Sequence, residues 1–314
     1  MNRPAAWLVG LLALASAAGA LGSQAKWRWS GPWRADDHRV IEAVSCANQS
    51  LCMAVDQDGY VVRWDGSSWS SPDRLDREGP LVAVSCPEPD FCMAADYFGS
   101  VFSWDGKEWS RPYRVDSAPL ASLWCDKARF CVVVDSEGRS VFFEDGRWSR
   151  PTIAYRQGFL STVACQSRDL CLAAGSFDLV VWNGHRWTTA GFRDRKGYFT
   201  SIACGRRSCV AVDAHGDEAI WSASKWSGLA RIDPEGDGLV SVSCVSDRLC
   251  VAADARGGIL IWNGKAWSSR MELARVVFSS VGCSSSGFCA VGDRAGELFL
   301  IDFQVSAPGN VPVE

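Results

Sequence analysis

Residues Leu81 to Asp116 read LVAVSCPEPDFCMAADYFGSVFSWDGKEWSRPYRVD, and this unit of about forty residues recurs seven times along the chain. Aligned on their first cysteine, the copies start at Cys46, Cys86, Cys125, Cys165, Cys204, Cys244 and Cys283, in steps of 40 or 39 residues. So steady a period means stacked, equivalent units. A second cysteine follows at Cys52, Cys92, Cys131, Cys171, Cys209, Cys250 and Cys289, six residues on in every copy except the fifth, where the step is five. Further along stands an aromatic pair five residues wide: Trp64/Trp69, Trp104/Trp109, Phe143/Trp148, Trp182/Trp187, Trp221/Trp226 and Trp262/Trp267. Most copies place Asp-Gly or Asn-Gly inside it, which is a hairpin-turn signal.

One copy reads as four short strands. LVAVSC is an apolar run, FCMAAD has no polar face, SVFSW alternates, and EWSRPYRV carries a proline. A strand apolar on both faces belongs in a stack covered above and below, and a proline, having no N–H to give a ladder, belongs on an edge. The chain therefore runs from inner to outer strand, and a four-stranded sheet repeated radially is a propeller blade. The seventh copy stops after its third strand, GELFLID, while Trp29 to Asp36, WSGPWRAD, matches Trp109 to Asp116, WSRPYRVD. The expectation is an all-β, seven-bladed β-propeller of four antiparallel strands per blade over residues 24–304, with the N-terminal strand closing the last blade.

Residues 1–20 have the form of a signal peptide: Arg3, an apolar run through Leu11 and Leu12, then Ala15-Ser16-Ala17 and Ala18-Gly19-Ala20 as cleavage sites. Residues 305–314 are expected to be a disordered tail. Fourteen cysteines in seven equally spaced pairs behind such a leader read as one disulfide per blade, closing the hairpin between first and second strands, formed in a secreted or extracytoplasmic setting. With the leader removed no membrane span is expected, and a monomer is. A formal charge of −4 argues against nucleic acid as partner. No motif for a cofactor or a metal is present: Asp233 to Gly238 resembles the opening of a calcium loop, but Cys244 stands where its closing glutamate belongs.

The pattern SCxxxxxCxAxDxxG followed by WDGxxWS, over about 280 residues, resembles the repeats of exported bacterial β-propeller proteins of the kind common in actinobacteria. That resemblance implies a disulfide-stapled propeller outside the membrane and names no activity. WDGSSWS and WDGKEWS are also similar to turns of tectonin-type and fucose-binding propeller lectins, which lack the cysteine pattern. This second likeness implies a binding protein without naming a ligand.

On a propeller, the turns between second and third strands and the blade-to-blade connections share the face where ligands usually bind. The turn is normally Asp-x-x-Gly, as at Asp56/Gly59 and Asp96/Gly99, and its aspartate is read as structural. Blade four departs with Gly175-Ser176-Phe177-Asp178. The candidate ligand-binding set is Phe177 with Tyr97, Phe98, Tyr155, Arg156, Arg193, Asp194, Tyr198 and His215, because aromatics and arginines around a concave mouth stack on rings and grip hydroxyls or anions. Trp124 replaces the small residue before the first cysteine and is expected to plug the channel. No GxSxG or HExxH occurs, and the three histidines, His38, His185 and His215, are far apart. The leading expectation is an exported, non-catalytic recognition module for a glycan, a cell-envelope polymer or a protein partner. A propeller hydrolase, or a cyclase of a secondary-metabolite pathway, using Asp36, Asp37, Asp76, Glu78, Asp194 or Asp233 is the second reading, and a rim-binding scaffold the third.

Overall fold

The computed structural model describes residues 27–35, 39–175, 177–193, 198–235 and 237–304. The leader, the tail, Asp36, Asp37, His38 and Asp194 lie outside the described residues. Seven antiparallel sheets follow the seven copies, six in chain order from inner to outer strand and the seventh completed on its outer edge by the N-terminal strand. The second strand of each blade is the most buried: every residue of Leu51–Asp56 and of Phe130–Asp135 is buried. Both of its faces are covered because blades stack on each other. Met53 and Val55 of blade one, for example, pack with Leu81, Val84 and Phe102 of blade two. Each such side chain contributes about 1.5–3 kcal/mol through burial.

The seven disulfides join Cys46–Cys52, Cys86–Cys92, Cys125–Cys131, Cys165–Cys171, Cys204–Cys209, Cys244–Cys250 and Cys283–Cys289, each within its own hairpin. The shortened hairpin of blade five is held from outside, since Asp247 of blade six accepts the Arg207 and Ser208 amides at 2.8 and 3.1 Å. The WDG turns lie on the same side: Trp64 donates through Nε1 to the Gln49 carbonyl in the neighbouring cysteine hairpin, at 3.0 Å. Within the turn, Asp65 accepts the Ser68 amide, the Ser67 hydroxyl and the Ser67 amide, which hold its carboxyl down at about 2. The two aromatics of each motif then pack ring to ring at 5.1–5.8 Å.

Hydroxyls on the inner strands tie each blade to the next. Ser45 and Ser85 accept the amides of Cys86 and Cys125. Ser122, Thr162, Ser201 and Ser241 accept those of Val163, Ile202, Val242 and Val281. Ser280 of blade seven accepts Val44 of blade one at 3.1 Å and so completes the circle. All seven junctions thus carry a hydroxyl-to-amide bond, supplied from one position in blades one and two and from the position two residues earlier in blades three to five and seven. Blade six uses both, Ser243 serving Cys283 as well. An inner-strand N–H that faces the channel has no ladder partner on that side, and the neighbour's hydroxyl supplies one.

The outer strands are shorter than a continuous EWSRPYRV strand. In blade one only Asp73–Arg74 pairs regularly, beside an isolated bridge between Trp64 and Trp69. Proline is not the common cause, because blades five and six have none there and are broken alike. In blades one, two, three, five and six the serine after the second tryptophan enters the ladder, whereas the equivalent Ser30 of the closing strand takes the Trp33 indole N–H and Trp27–Arg34 runs as one strand. Ser70, Ser110, Ser149, Ser227 and Ser268 each take a third-strand amide on the side-chain oxygen, at 2.9–3.0 Å, and donate to the next carbonyl along. Side chain replaces backbone in the ladder, and pairing stops for three residues. Blade four has Thr188 in that place, donating to Val181, and its outer strand runs unbroken through Trp187–Arg193.

Closure follows the sequence expectation. Strand Trp27–Arg34 lies antiparallel on Glu297–Phe303, with Trp27 opposite Phe303, Trp29 opposite Ile301 and Trp33 opposite Leu298. Trp33 also reaches across to blade one, where its ring meets that of Trp64 edge-on at 5.8 Å. No helix among the described residues is long and apolar enough to cross a membrane.

Candidate functional site

The upper face is built from the Asp-x-x-Gly turns and the blade-to-blade connections, which interlock. Asp56 accepts the amides of Asp58 and Tyr60 on one oxygen, and Asp96, Asp135, Asp213, Asp254 and Asp293 each accept the amide four residues on in the same way. Gly59, at φ +86°, then accepts Leu75 and Asp76 of the connection on its carbonyl. A Cβ at Gly59 would stand 2.3 Å from the Asp76 carbonyl oxygen, so only glycine lets the turn and the connection touch.

Connection and turn also meet through side chains, and each junction solves this differently. Arg139 bonds Asp116 of the connection at 2.5 Å and Asp135 of the turn at 2.7 Å. Arg270 bonds Asp254 at 2.5 Å. Where blade three meets blade four the acid of the connection is replaced by Tyr155, whose hydroxyl donates to Asp178. Tyr155 was expected at the mouth; it is buried, 3% exposed, because this bond draws its ring between the blades. Blade four loses its turn aspartate for a related reason: any side chain at Gly175 would meet the Phe159 carbonyl at 1.9 Å.

Asp76 and Asp96, between blades one and two, are both buried, and no basic side chain pairs with either among the described residues. Burial raises the Asp96 carboxyl above its usual 3.8, with bonds from Ser100 opposing and the nearby Asp76 charge adding to the rise. Burial also raises Asp293, Glu218 and Glu42. A carboxyl raised in the folded state binds its proton more readily there than in the unfolded chain, so its contribution to stability declines as pH climbs from the ordinary carboxylate value through the folded one. The unfolding midpoint should therefore increase as pH is lowered from 7 toward 5. Asp96→Asn keeps the acceptor for the Ser100 amide, adds a donor toward Asp76, and should flatten that rise. Thermal melts at several pH values read it; a variant with the wild-type slope would remove Asp96 as a source.

Of the other expected binding residues, Tyr97, Phe98, Phe177 and Tyr198 are exposed on the upper loops, as are Arg156 and His215. Arg193 pairs through its backbone with Asp178. Phe159, which sequence reasoning passed over, is exposed between them on the connection into blade four. Tyr97, Phe98, Phe159, Phe177 and Tyr198 are thus spread over the upper loops from blade two to blade five, an arc in which Tyr198 is the most exposed at 52%. Tyr97 and Phe98 meet edge-on at 5.7 Å. The acids close to the arc, Asp96 and Asp178, face inward as described. Asp76 and Asp233, two of the candidate catalytic acids, are buried in the same way, while Glu78 is exposed.

The inner strands enclose an axial cavity of about 380 Å³. Among the described residues, Glu42 is the one ionisable side chain on its wall. Trp124 lines the cavity without acting as a central plug: its ring leans sideways against Phe130, 6.3 Å away, and onto the walls of blades four and five. No group of three or more potential metal ligands occurs among the described residues.

No protein-family model matches the chain, and no curated protein does. Solved structures do. The WD40 β-propeller domain of Doa1 is similar with a TM-score of 0.74 at 13% identity, over 89% of this chain and 98% of that one. U3-55K follows with 0.72 at 14% identity, over 87% and 100%, and YCF48 bound to D1 peptide with 0.70 at 13% identity, over 90% and 98%. At such identities the likeness establishes the fold alone.

Proposed function

We propose that this protein is an exported, non-catalytic recognition module whose upper face binds an extended segment of a partner protein. The carrying observation is the arc of five exposed aromatic rings on loops held by buried turns. A soluble surface rarely gathers large apolar side chains on one face unless they are covered by something. A protein segment suits the arc better than a glycan. Sugar recognition needs carboxylates or amides beside the rings to take hydroxyls, and Asp96 and Asp178 are turned inward, whereas apolar side chains of a peptide need only the rings. The WDG turns that resemble those of lectins spend their aspartates and tryptophans on internal contacts. YCF48, one of the similar propellers, was solved with a peptide bound. Seven disulfides point to an oxidising compartment, in keeping with export.

Selection of displayed random peptides on the immobilised, oxidised protein tests this. Enriched peptides should carry aromatic or aliphatic anchors, and Phe177→Ala and Tyr198→Ala should each weaken their binding by about 2 kcal/mol, roughly thirtyfold. Tyr113→Ala, on the exposed rim, should leave binding unchanged. Binding lost with Tyr113 and kept without the arc would favour the scaffold reading.

A further inference from the structure

Blade one holds a second feature of the upper face that the aromatic arc does not explain. Between its turn and the connection into blade two lies a cavity of about 340 Å³, walled by Arg39, Arg74, Arg77, Tyr60, Asp58 and Glu78. Tyr60 is anchored by its amide on Asp56 at 2.6 Å. The Arg39 guanidinium lies over the Tyr60 ring, 4.2 Å from its centre, and stands 3.6 Å from Asp58 and 3.8 Å from Asp56. Arg74 approaches the same ring at 5.6 Å and spends its Nε on the Asp76 carbonyl. Its terminal nitrogens, and every nitrogen of the exposed Arg77, have no carboxylate partner among the described residues.

The repeat supplies an internal control for this arrangement. Tyr60 is paired across the sheet with Arg74 as Asp217 is paired with Arg231 in blade five. There the carboxylate of Asp217 receives the Arg231 guanidinium at 2.5 Å. In blade one tyrosine has replaced that acid, so the arginine is kept, its carboxylate is missing, and a cavity lies beside it with two further guanidiniums on the wall. Blade two also lacks the acid, with Ser100 opposite Arg114, but Gly79 and Ser117 stand where blade one has Arg39 and Arg77.

We infer that this cavity is a binding site for a carboxylate group, which takes the place that Asp217 fills in blade five. The guanidinium fork matches a planar carboxylate bidentately. Asp58 and Glu78 on the rim oppose a polyanion and favour a single acid that also bears hydroxyl or amide donors. Such a group is found on an acidic sugar and on an acidic amino-acid unit alike. The site goes beyond the aromatic arc: Phe98 packs over Gly79 at the cavity edge, so the two adjoin, yet they share none of the guanidiniums.

The test is a titration of the isotopically labelled, oxidised protein followed by NMR, with matched probes: D-glucuronate against D-glucose, and N-acetyl-L-glutamate against N-acetyl-L-glutamine. The acid of at least one pair should shift the amides of Gln57 to Tyr60 and of Gly79 saturably, and its neutral analogue should not. Which pair responds tells sugar from amino acid. Arg74→Gln and Arg77→Gln should each weaken binding at least about tenfold, as expected for loss of a charge-assisted bond, while Arg114→Gln and Phe177→Ala leave it intact. Because Phe177→Ala is silent here, failure of this site and failure of the arc are told apart. Absence of saturable shifts with both acids, equal shifts from acid and neutral analogue, or shifts that persist in both arginine variants would overturn the assignment.

Discussion

Protein prepared with all fourteen thiols free should unfold roughly 20–30 °C below the oxidised form. Each bridge closes a loop of only six or seven residues, so each removes unfolded-state freedom corresponding to about 2 kcal/mol in the chain-entropy account. Seven such terms approach 14 kcal/mol, which is comparable to the whole stability of an ordinary domain, roughly 5–15 kcal/mol. The half-cystines of the second strands are fully or almost fully buried, so the thiols would sit unbridged in the core of every blade. Calorimetry of protein refolded with and without oxidant reads the difference, at about 2 °C for each kcal/mol in a chain of this size. A reduced midpoint within about 5 °C of the oxidised one would show that apolar packing and the inner hydroxyl bonds hold the circle by themselves.

Removal of Trp27–Arg34 should have the next largest effect. The strand pairs with Glu297–Phe303 over six aligned residues and carries the Trp27 contact to Phe303 and the Trp33 contact to Trp64 in blade one. At about 1 kcal/mol net for each ladder bond, with loss of the tryptophan packing in addition, the cost is about 5 kcal/mol or more. The effect should also be local first. Amides of Glu297–Phe303 should lose hydrogen-exchange protection before those of blades three to five, because blade seven is left with an uncovered edge. Equal midpoints for the truncated and intact proteins would mean that the circle closes through Ser280 and the inner strands alone.

Much of this was readable in advance for one reason: every copy repeats the same contacts at the same spacing. Cysteines six apart on neighbouring strands of a hairpin fall opposite each other, as Cys46 and Cys52 do, and WSGPWR reads as an outer strand because five other copies spell one. The broken outer edge was less legible. A serine follows the second tryptophan in five blades and a threonine in blade four, but whether that hydroxyl takes a third-strand amide depends on the fold, since Ser30 of the closing strand meets Trp33 instead. Tyr155 was misplaced because its partner Asp178 lies 23 residues on, in the next blade.

The amino-acid sequence alone determined the number of blades, the seven disulfides, the direction from inner to outer strand and the segment that closes the circle. All of these follow from a period and from local chemistry, which stacking repeats multiply without altering. The tertiary structure decided which upper-face residues are available. Tyr155 went inward and Phe159 outward, and Arg39, Tyr60, Arg74 and Arg77 came together around one cavity. Such groupings depend on the side chain that a neighbouring strand or blade presents across a junction, and a repeat pattern, being an average over copies, is blind to the one copy that differs.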